Sequence, residues 1–217
     1  MDATVTSILH KSQEELEMLA RKKVKHLYLG IESGLDDVLK FMKKDHDLAQ
    51  AYQAIDRLHE AGLIYDAHIM TGVAGKGRGM ENAEALAQFL NRTNPVHVVN
   101  FSMFLHKEVP LYQDIRQGTF VPADELETIR EEYHLIERIA PEKAGANILY
   151  DGFHDFIHVR VRGHLPGDKE KMLAKLNGII QEYEGKEPVY SFVQGECPDL
   201  EYCDDGKAVW DMDRKTS

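Results

Sequence analysis

The sequence predicts an α/β protein in which strand–helix units repeat around a parallel sheet. Three observations carry this. Short apolar runs alternate with helical spacing four times between residues 3 and 105, cap and stop residues separate them, and the strand ends fall on polar residues or glycine. In such sheets chemistry gathers at the carboxyl ends of the strands. Those ends are expected near His10, Glu32-Ser33-Gly34, Thr71-Gly72 and His106.

Residues 3–9 are rich in β-branched types and read as a strand. Ser12 and Glu15 form a capping box, and Leu16, Leu19, Ala20 and Val24 then recur at helical spacing. The apolar run from His26 to Ile31 reads as a buried strand, followed by a short helix marked by Leu35, Val38, Leu39 and Met42. Asp47 is placed to cap the next helix, with Ala51, Ile55 and Leu58 inward and Gly62 as its stop. A strand at 63–71, a helix carrying Ala83, Leu86, Ala87 and Leu90, and a strand at 96–105 complete the alternation.

Beyond residue 110 the pattern changes, so residues 1–110 are expected to form the β/α part and residues 111–183 a helical extension. Leu111, Tyr112 and Ile115 mark a short helix closed by Gly118. The stretch 122–139 reads as a longer helix with Leu126, Ile129, Tyr133 and Ile136 on one face. Alternation within 146–162 suggests pairing at a sheet edge. Asp168 is expected to cap a helix carrying Met172, Leu173, Leu176, Ile179, Ile180 and Tyr183, and residues 184–217 read as a weakly structured tail.

Composition bounds the function. A 217-residue chain with 43% hydrophobic residues has enough apolar material for a core. The net charge of −11 disfavours a phosphate backbone as partner, and Lys22-Lys23 with Lys25 and Lys43-Lys44 are too short to make a nucleic-acid footprint. No run is long enough to span a membrane, and residues 1–5 lack the features of a signal peptide, so a cytoplasmic location is expected. The cysteines, Cys197 and Cys203, sit in an acidic stretch with Asp199, Glu201, Asp204 and Asp205, which reads as solvated rather than metal-binding.

Two motifs point to a small-molecule site. In Gly30-Ile31-Glu32-Ser33-Gly34, glycines allow close approach to the backbone and a carboxylate can accept both hydroxyls of a ribose; a tight turn with a capping glutamate fits the spacing equally. Residues 72–79 hold four glycines in eight positions ahead of a helix. Such a loop can cradle phosphate, but it lacks the Gly-Lys-Ser/Thr ending of a P-loop, and a flexible connection or a close approach to an adenine fits better. His68 lies within a strand, where a packed histidine is the ordinary occupant. His154 and His158 are four apart in what reads as loop or strand, where that spacing joins nothing.

Together these segments resemble the radical S-adenosylmethionine (SAM) superfamily, in its coproporphyrinogen-oxidase-like (HemN-like) and Elp3-like branches. The segment from Leu29 to Lys44 carries the resemblance, followed in order by residues 59–63, 110–120 and 162–169, and the whole covers about residues 3–183. The resemblance implies a partial (β/α) TIM-like barrel, with this chain supplying strands three to six of a (β/α)6 barrel. It also implies SAM contacts: Glu32 at the ribose, Lys44 at the methionyl carboxylate, His68 at the ribose on the following strand, and Gly72 and Val73 with their backbone at the adenine. The implied activity is that of an iron–sulfur oxidoreductase forming a 5′-deoxyadenosyl radical.

The chain departs from the family in lacking the Cys-x3-Cys-x2-Cys motif that holds a 4Fe–4S cluster, since Cys197 and Cys203 match neither its spacing nor its place. A cluster is expected only if its ligands lie outside this chain, and the chain alone is expected to be inactive, or else to serve as a non-catalytic half-barrel for binding or assembly. The exposed edge at residues 3–9 is expected to need cover from an N-terminal half-barrel or a homodimer partner.

Overall fold

The computed structural model describes residues 1–192, which contain one six-stranded sheet in chain order. Strands β1 (Asp2–Ala3), β2 (His26–Glu32), β3 (Ile64–Thr71), β4 (His97–Ser102) and β5 (Ile148–His154) run parallel, and β6 (Val159–Leu165) pairs antiparallel with β5. Helices α1 (Val5–Leu9) and α2 (Gln13–Arg21) connect β1 to β2, and α3 (Asp36–Phe41) and α4 (Leu48–Glu60) connect β2 to β3. Helix α5 (Gly79–Thr93) leads to β4, α6 (Leu111–Arg116) and α7 (Glu125–Arg138) lead to β5, and α8 (Lys169–Tyr183) follows β6. The expected α/β class is thus present, as a mostly parallel sheet with helical crossovers. Among the described residues no helix is long and apolar enough to cross a membrane.

One face of the sheet builds the core. Leu27, Leu29 and Ile31 of β2, Tyr65, Ala67 and Ile69 of β3, and Val98 of β4 pack with Ile55 and Leu58 of α4 and Leu86 and Phe89 of α5. Each such side chain contributes about 1.5–3 kcal/mol on burial. The period of two then sends Tyr28, His68, Met70, Phe101 and Phe153 to the opposite face, where Phe101 is 38% exposed.

Residues 3–9 are not a strand. The sheet edge is only Asp2–Ala3, and residues 5–9 are helical. The cause is local: Thr4 Oγ1 accepts from Ser7 N–H at 3.0 Å while Ser7 Oγ accepts from Thr4 N–H at 3.0 Å, a reciprocal cap that outweighs the β-branched composition. Val5 and Ile8 then bury on one side. His10 is consequently a helix C-cap and not a strand end.

The capping box at Ser12 and the Asp47 cap form as expected, and Gln50 completes a second capping box with Asp47. Asp168 precedes α8 but makes no cap bond to it; its Oδ2 accepts from His164 N–H at 2.7 Å and closes the preceding turn instead. The edge pairing expected within 146–162 is the β5–β6 pair, with β5 also extending the parallel series beside β4. After α8 the chain returns to the sheet's carboxyl end, where Val189 C=O accepts from Glu125 N–H and Ser191 C=O from Leu105 N–H. Cys197 and Cys203, with the acidic residues around them, lie outside the described residues.

Candidate functional site

The carboxyl end of β2 is irregular. Between Gly30 and Glu32 the register against β3 slips, so that Gly30 pairs with His68 and Glu32 with Ile69. Glu32 takes φ +62, a left-handed conformation that costs a non-glycine residue on the order of 1 kcal/mol and concentrates at functional positions. The outcome is a carboxylate folded back over Gly30: a Cβ there would meet Glu32 Oε1 at 2.5 Å and Lys44 Nζ at 3.4 Å. Lys44 Nζ donates to Glu32 Oε1 at 3.1 Å, with the two side chains 28% and 23% exposed. The pair is held in place yet open to a ligand.

His68 shares the open face with this pair. Its ring lies 5.3 Å from Tyr28 and 6.3 Å from Phe101, and its nitrogens make no hydrogen bond among the described residues. Phe101 stacks on Phe153 at 5.5 Å, and the Arg160 guanidinium lies 4.7 Å over the Phe153 ring. An aromatic row therefore crosses β2 to β5. Nearer the amino ends, Asp66 meets His26 at 3.1 Å, and Arg160 grips Asp151 through two bonds of 2.8 and 2.7 Å.

The glycine-rich loop is built for close packing and not for phosphate. Gly72, Gly75 and Gly77 all take positive φ. Gly72 N–H donates to Glu131 Oε2 at 2.8 Å, Gly77 N–H donates to Glu127, and Lys76 N–H donates to Val121 C=O. With these amides turned to carboxylates and a carbonyl, the loop forms no anion nest. Among the described residues Val73 alone of the expected adenine-contacting pair keeps its backbone N–H and C=O unengaged. A cavity of about 350 Å³ opens beside Val73, lined in part by Asp37, Phe41 and Phe120.

Glu32 and Lys44 thus meet directly, and His68 lies on the strand paired with Gly30. Among the described residues Gly72 is joined to the β2 end through buried intermediates. Those intermediates are Asn82, Glu131 and Ser33, each at most 1% exposed. Helix α7 supplies most of this polar interior. Its buried face is Glu125, Thr128, Ile129, Glu131, Glu132, Leu135 and Ile136; of the expected row Ile129 and Ile136 are buried and Tyr133 packs partly buried against the core, while Leu126 stays outside it. His154, whose spacing from His158 carries no meaning, is fully buried between Glu125 Oε2 and Glu132 Oε2, each 3.0 Å away. Burial alone disfavours its charged form, but hydrogen bonds to the two carboxylates win and push it up to about 10. Glu132 Oε1 also accepts from Asn100 Nδ2 at 3.0 Å and Tyr150 OH at 2.9 Å. The missed signal was acidic residues recurring at i, i+6 and i+7 along α7, a spacing that places them on one broad side of a helix.

The donor set fits SAM. A partly exposed carboxylate suits a ribose diol, an ammonium beside it suits a carboxylate, Gly30 leaves room, and the Val73 amide is unengaged. It does not fit an iron–sulfur cluster: the described residues contain no cysteine, and no group of three or more His, Cys, Asp or Glu among them has an arrangement that holds a metal ion.

Comparison with known proteins gives the family likeness. Residues 2–90, which carry β1 to β3 and most of α5, match the model of the Radical SAM superfamily. The tRNA uridine(34) acetyltransferase of Methanocaldococcus infernus is 25% identical over 119 residues, covering 54% of this chain and 22% of that protein. Among solved structures, the archaeal Methanocaldococcus infernus Elp3 with an N-terminal deletion superposes with a TM-score of 0.55 at 21% identity, covering 65% of this chain and 32% of that one. The part of this chain that superposes therefore shares the TIM-like fold of that protein. This chain spans about a fifth of the curated relative it matches. Both relatives are of the Elp3 branch and lend no support to the coproporphyrinogen-oxidase-like one.

Proposed function

We propose that this chain is the SAM-binding part of a radical SAM enzyme. In this reading Glu32 accepts the ribose hydroxyls, Lys44 pairs with the methionyl carboxylate, His68 flanks the ribose, and the backbone at Gly72 and Val73 meets the adenine edge. SAM supplies a sulfonium whose one-electron reduction breaks its C5′–S bond, leaving methionine and a 5′-deoxyadenosyl radical. The electron donor would be a cluster held by ligands outside the described residues.

The observation that carries the reading is the Glu32–Lys44 pair folded over Gly30, at a strand end with left-handed backbone. A simple helix-capping glutamate has no need of that arrangement: α3 begins at Asp36 after Leu35, and no side chain caps it. The turn-and-cap alternative for this motif is therefore disfavoured. A tRNA uridine substrate belongs to a relative far longer than this chain and is not carried over. Calorimetry with SAM and S-adenosylhomocysteine tests the reading, with ATP as control. Binding of both sulfur nucleosides in preference to ATP is expected. A folded chain that binds neither leaves the non-catalytic half-barrel as the better account.

A further inference from the structure

The two loops assigned to SAM leave the sheet at separate strand ends, residues 33–34 after β2 and residues 72–73 after β3. No hydrogen bond joins them directly among the described residues. Both are tied instead to one carboxylate from a third element. Glu131 of α7 accepts from Gly72 N–H through Oε2 at 2.8 Å and from Asn82 Nδ2 through Oε1 at 2.7 Å. Asn82 Oδ1 in turn accepts from Ser33 Oγ–H at 2.7 Å and Gly34 N–H at 3.1 Å. Ser33 Oγ then accepts from Leu35 N–H at 3.1 Å.

We propose that Glu131 is a positioning residue that fixes the β2 and β3 loops relative to each other and so sets the SAM site. The proposal rests on the reading that these loops hold SAM. Polarity dictates the arrangement. An ionised carboxylate only accepts, so Asn82 must turn its NH2 toward Glu131 and its oxygen toward Ser33 and Gly34. All three side chains are buried, so no water replaces a lost partner and each unmade bond is costly. The surrounding chain packs closely on this group: a Cβ on Gly79 would meet Glu131 Oε2 at 3.0 Å, and one on Gly34 would meet Leu86 N at 2.5 Å.

Burial raises the Glu131 carboxyl to about 7, although Asn82 and the Gly72 amide pull it down. The other titratable groups facing it are Glu127, which raises it, His154, which lowers it, and Tyr150 of β5. Protonation places a donor where two donors already point, so the bridge loosens as pH falls.

The test uses the full chain with two variants. Glu131→Gln keeps the shape but faces an NH2 toward either Gly72 N–H or Asn82 NH2. A double variant, combining Asn82→Asp with Glu131→Gln, restores the pattern in reverse. The amide introduced on α7 then donates to the carboxylate introduced on α5 and accepts from Gly72 N–H. Dissociation constants for S-adenosylhomocysteine are expected to weaken about tenfold or more in the single variant and to return to within about threefold in the double. Amide exchange at Gly34 and Gly72 is expected to accelerate in the single variant and recover in the double, and this readout needs no ligand. Wild-type affinity is expected to fall as pH drops through about 7, with a flat profile for Glu131→Gln.

Unchanged binding in a folded Glu131→Gln, or a folded double variant that stays weak, overturns the proposal. If the single variant does not fold, the double decides: wild-type-like binding supports the proposal, and loss of folding in both reduces Glu131 to a packing role and overturns it. A wild type that binds no sulfur nucleoside sinks the SAM reading, and the exchange data then report separately on whether Glu131 couples the loops.

Discussion

Lys44 reaches back across 12 residues to place its ammonium 3.1 Å from the Glu32 carboxylate. Both side chains remain partly exposed, so the pair adds at most about 1 kcal/mol to stability. Glu32→Gln and Lys44→Ala are therefore expected to leave the urea midpoint nearly unchanged while weakening SAM binding by about tenfold each, a loss fitting a charge-assisted hydrogen bond. Calorimetry beside denaturation separates the two effects. Equal loss of stability and binding would assign the pair to the fold.

Two glycines of the same motif should fail differently. At Gly30 an added Cβ meets the far end of Glu32, which can swing away, whereas at Gly34 it meets backbone, with Ala85 C at 2.6 Å. Gly30→Ala is expected to weaken SAM binding with little cost in stability. Gly34→Ala is expected to destabilise by about 1–3 kcal/mol by forcing α5 away from the β2 loop. Thermal unfolding of both variants checks the order.

The two faces of the sheet give a third expectation. Leu29 is fully buried against the helices, while Phe101 on the other face is 38% exposed. Leu29→Ala should cost about 2–5 kcal/mol and Phe101→Ala no more than about 1 kcal/mol. Chemical denaturation of the pair tests the register, because a one-residue slip would reverse the ranking.

His154 sets a pH dependence. Its folded value of about 10 lies above its ordinary 6.5, so the folded state holds the proton more tightly. Its contribution is fully present below about 6.5 and is lost as pH rises through about 10. Wild-type stability should therefore decline between about pH 7 and 10, and His154→Gln should flatten that slope. A slope unchanged by the substitution would show that other groups carry it.

Much of the fold was legible because local signals agreed with global ones. Ser12 with Glu15 and Asp47 with Gln50 are reciprocal caps visible as residue pairs, and Gly62, at φ +75, ends α4 as its position implies. Residues 5–9 misled because β-branched composition is a weaker force than the Thr4–Ser7 cap. The Glu32, Lys44, His68, Gly72 and Val73 set came from resemblance, and nothing in spacing alone brings Lys44 onto Glu32. Asn82 and Glu131 were hidden for a physical reason. Their role depends on burial of polar groups on helix faces that periodicity assigns to apolar residues, and only tertiary packing reveals which glutamates turn inward.

The most direct test of the central claim is to locate the nucleoside. An azido-adenosine analogue of SAM, photolysed on the folded chain and mapped by peptide mass spectrometry, should label peptides spanning residues 26–34 and 68–79. Unlabelled SAM should compete, and Glu32→Gln should suppress the label. Labelling instead at the cavity lined by His59, Arg92 and Lys143, or labelling that SAM does not displace, would contradict the assignment of this strand end as a SAM site.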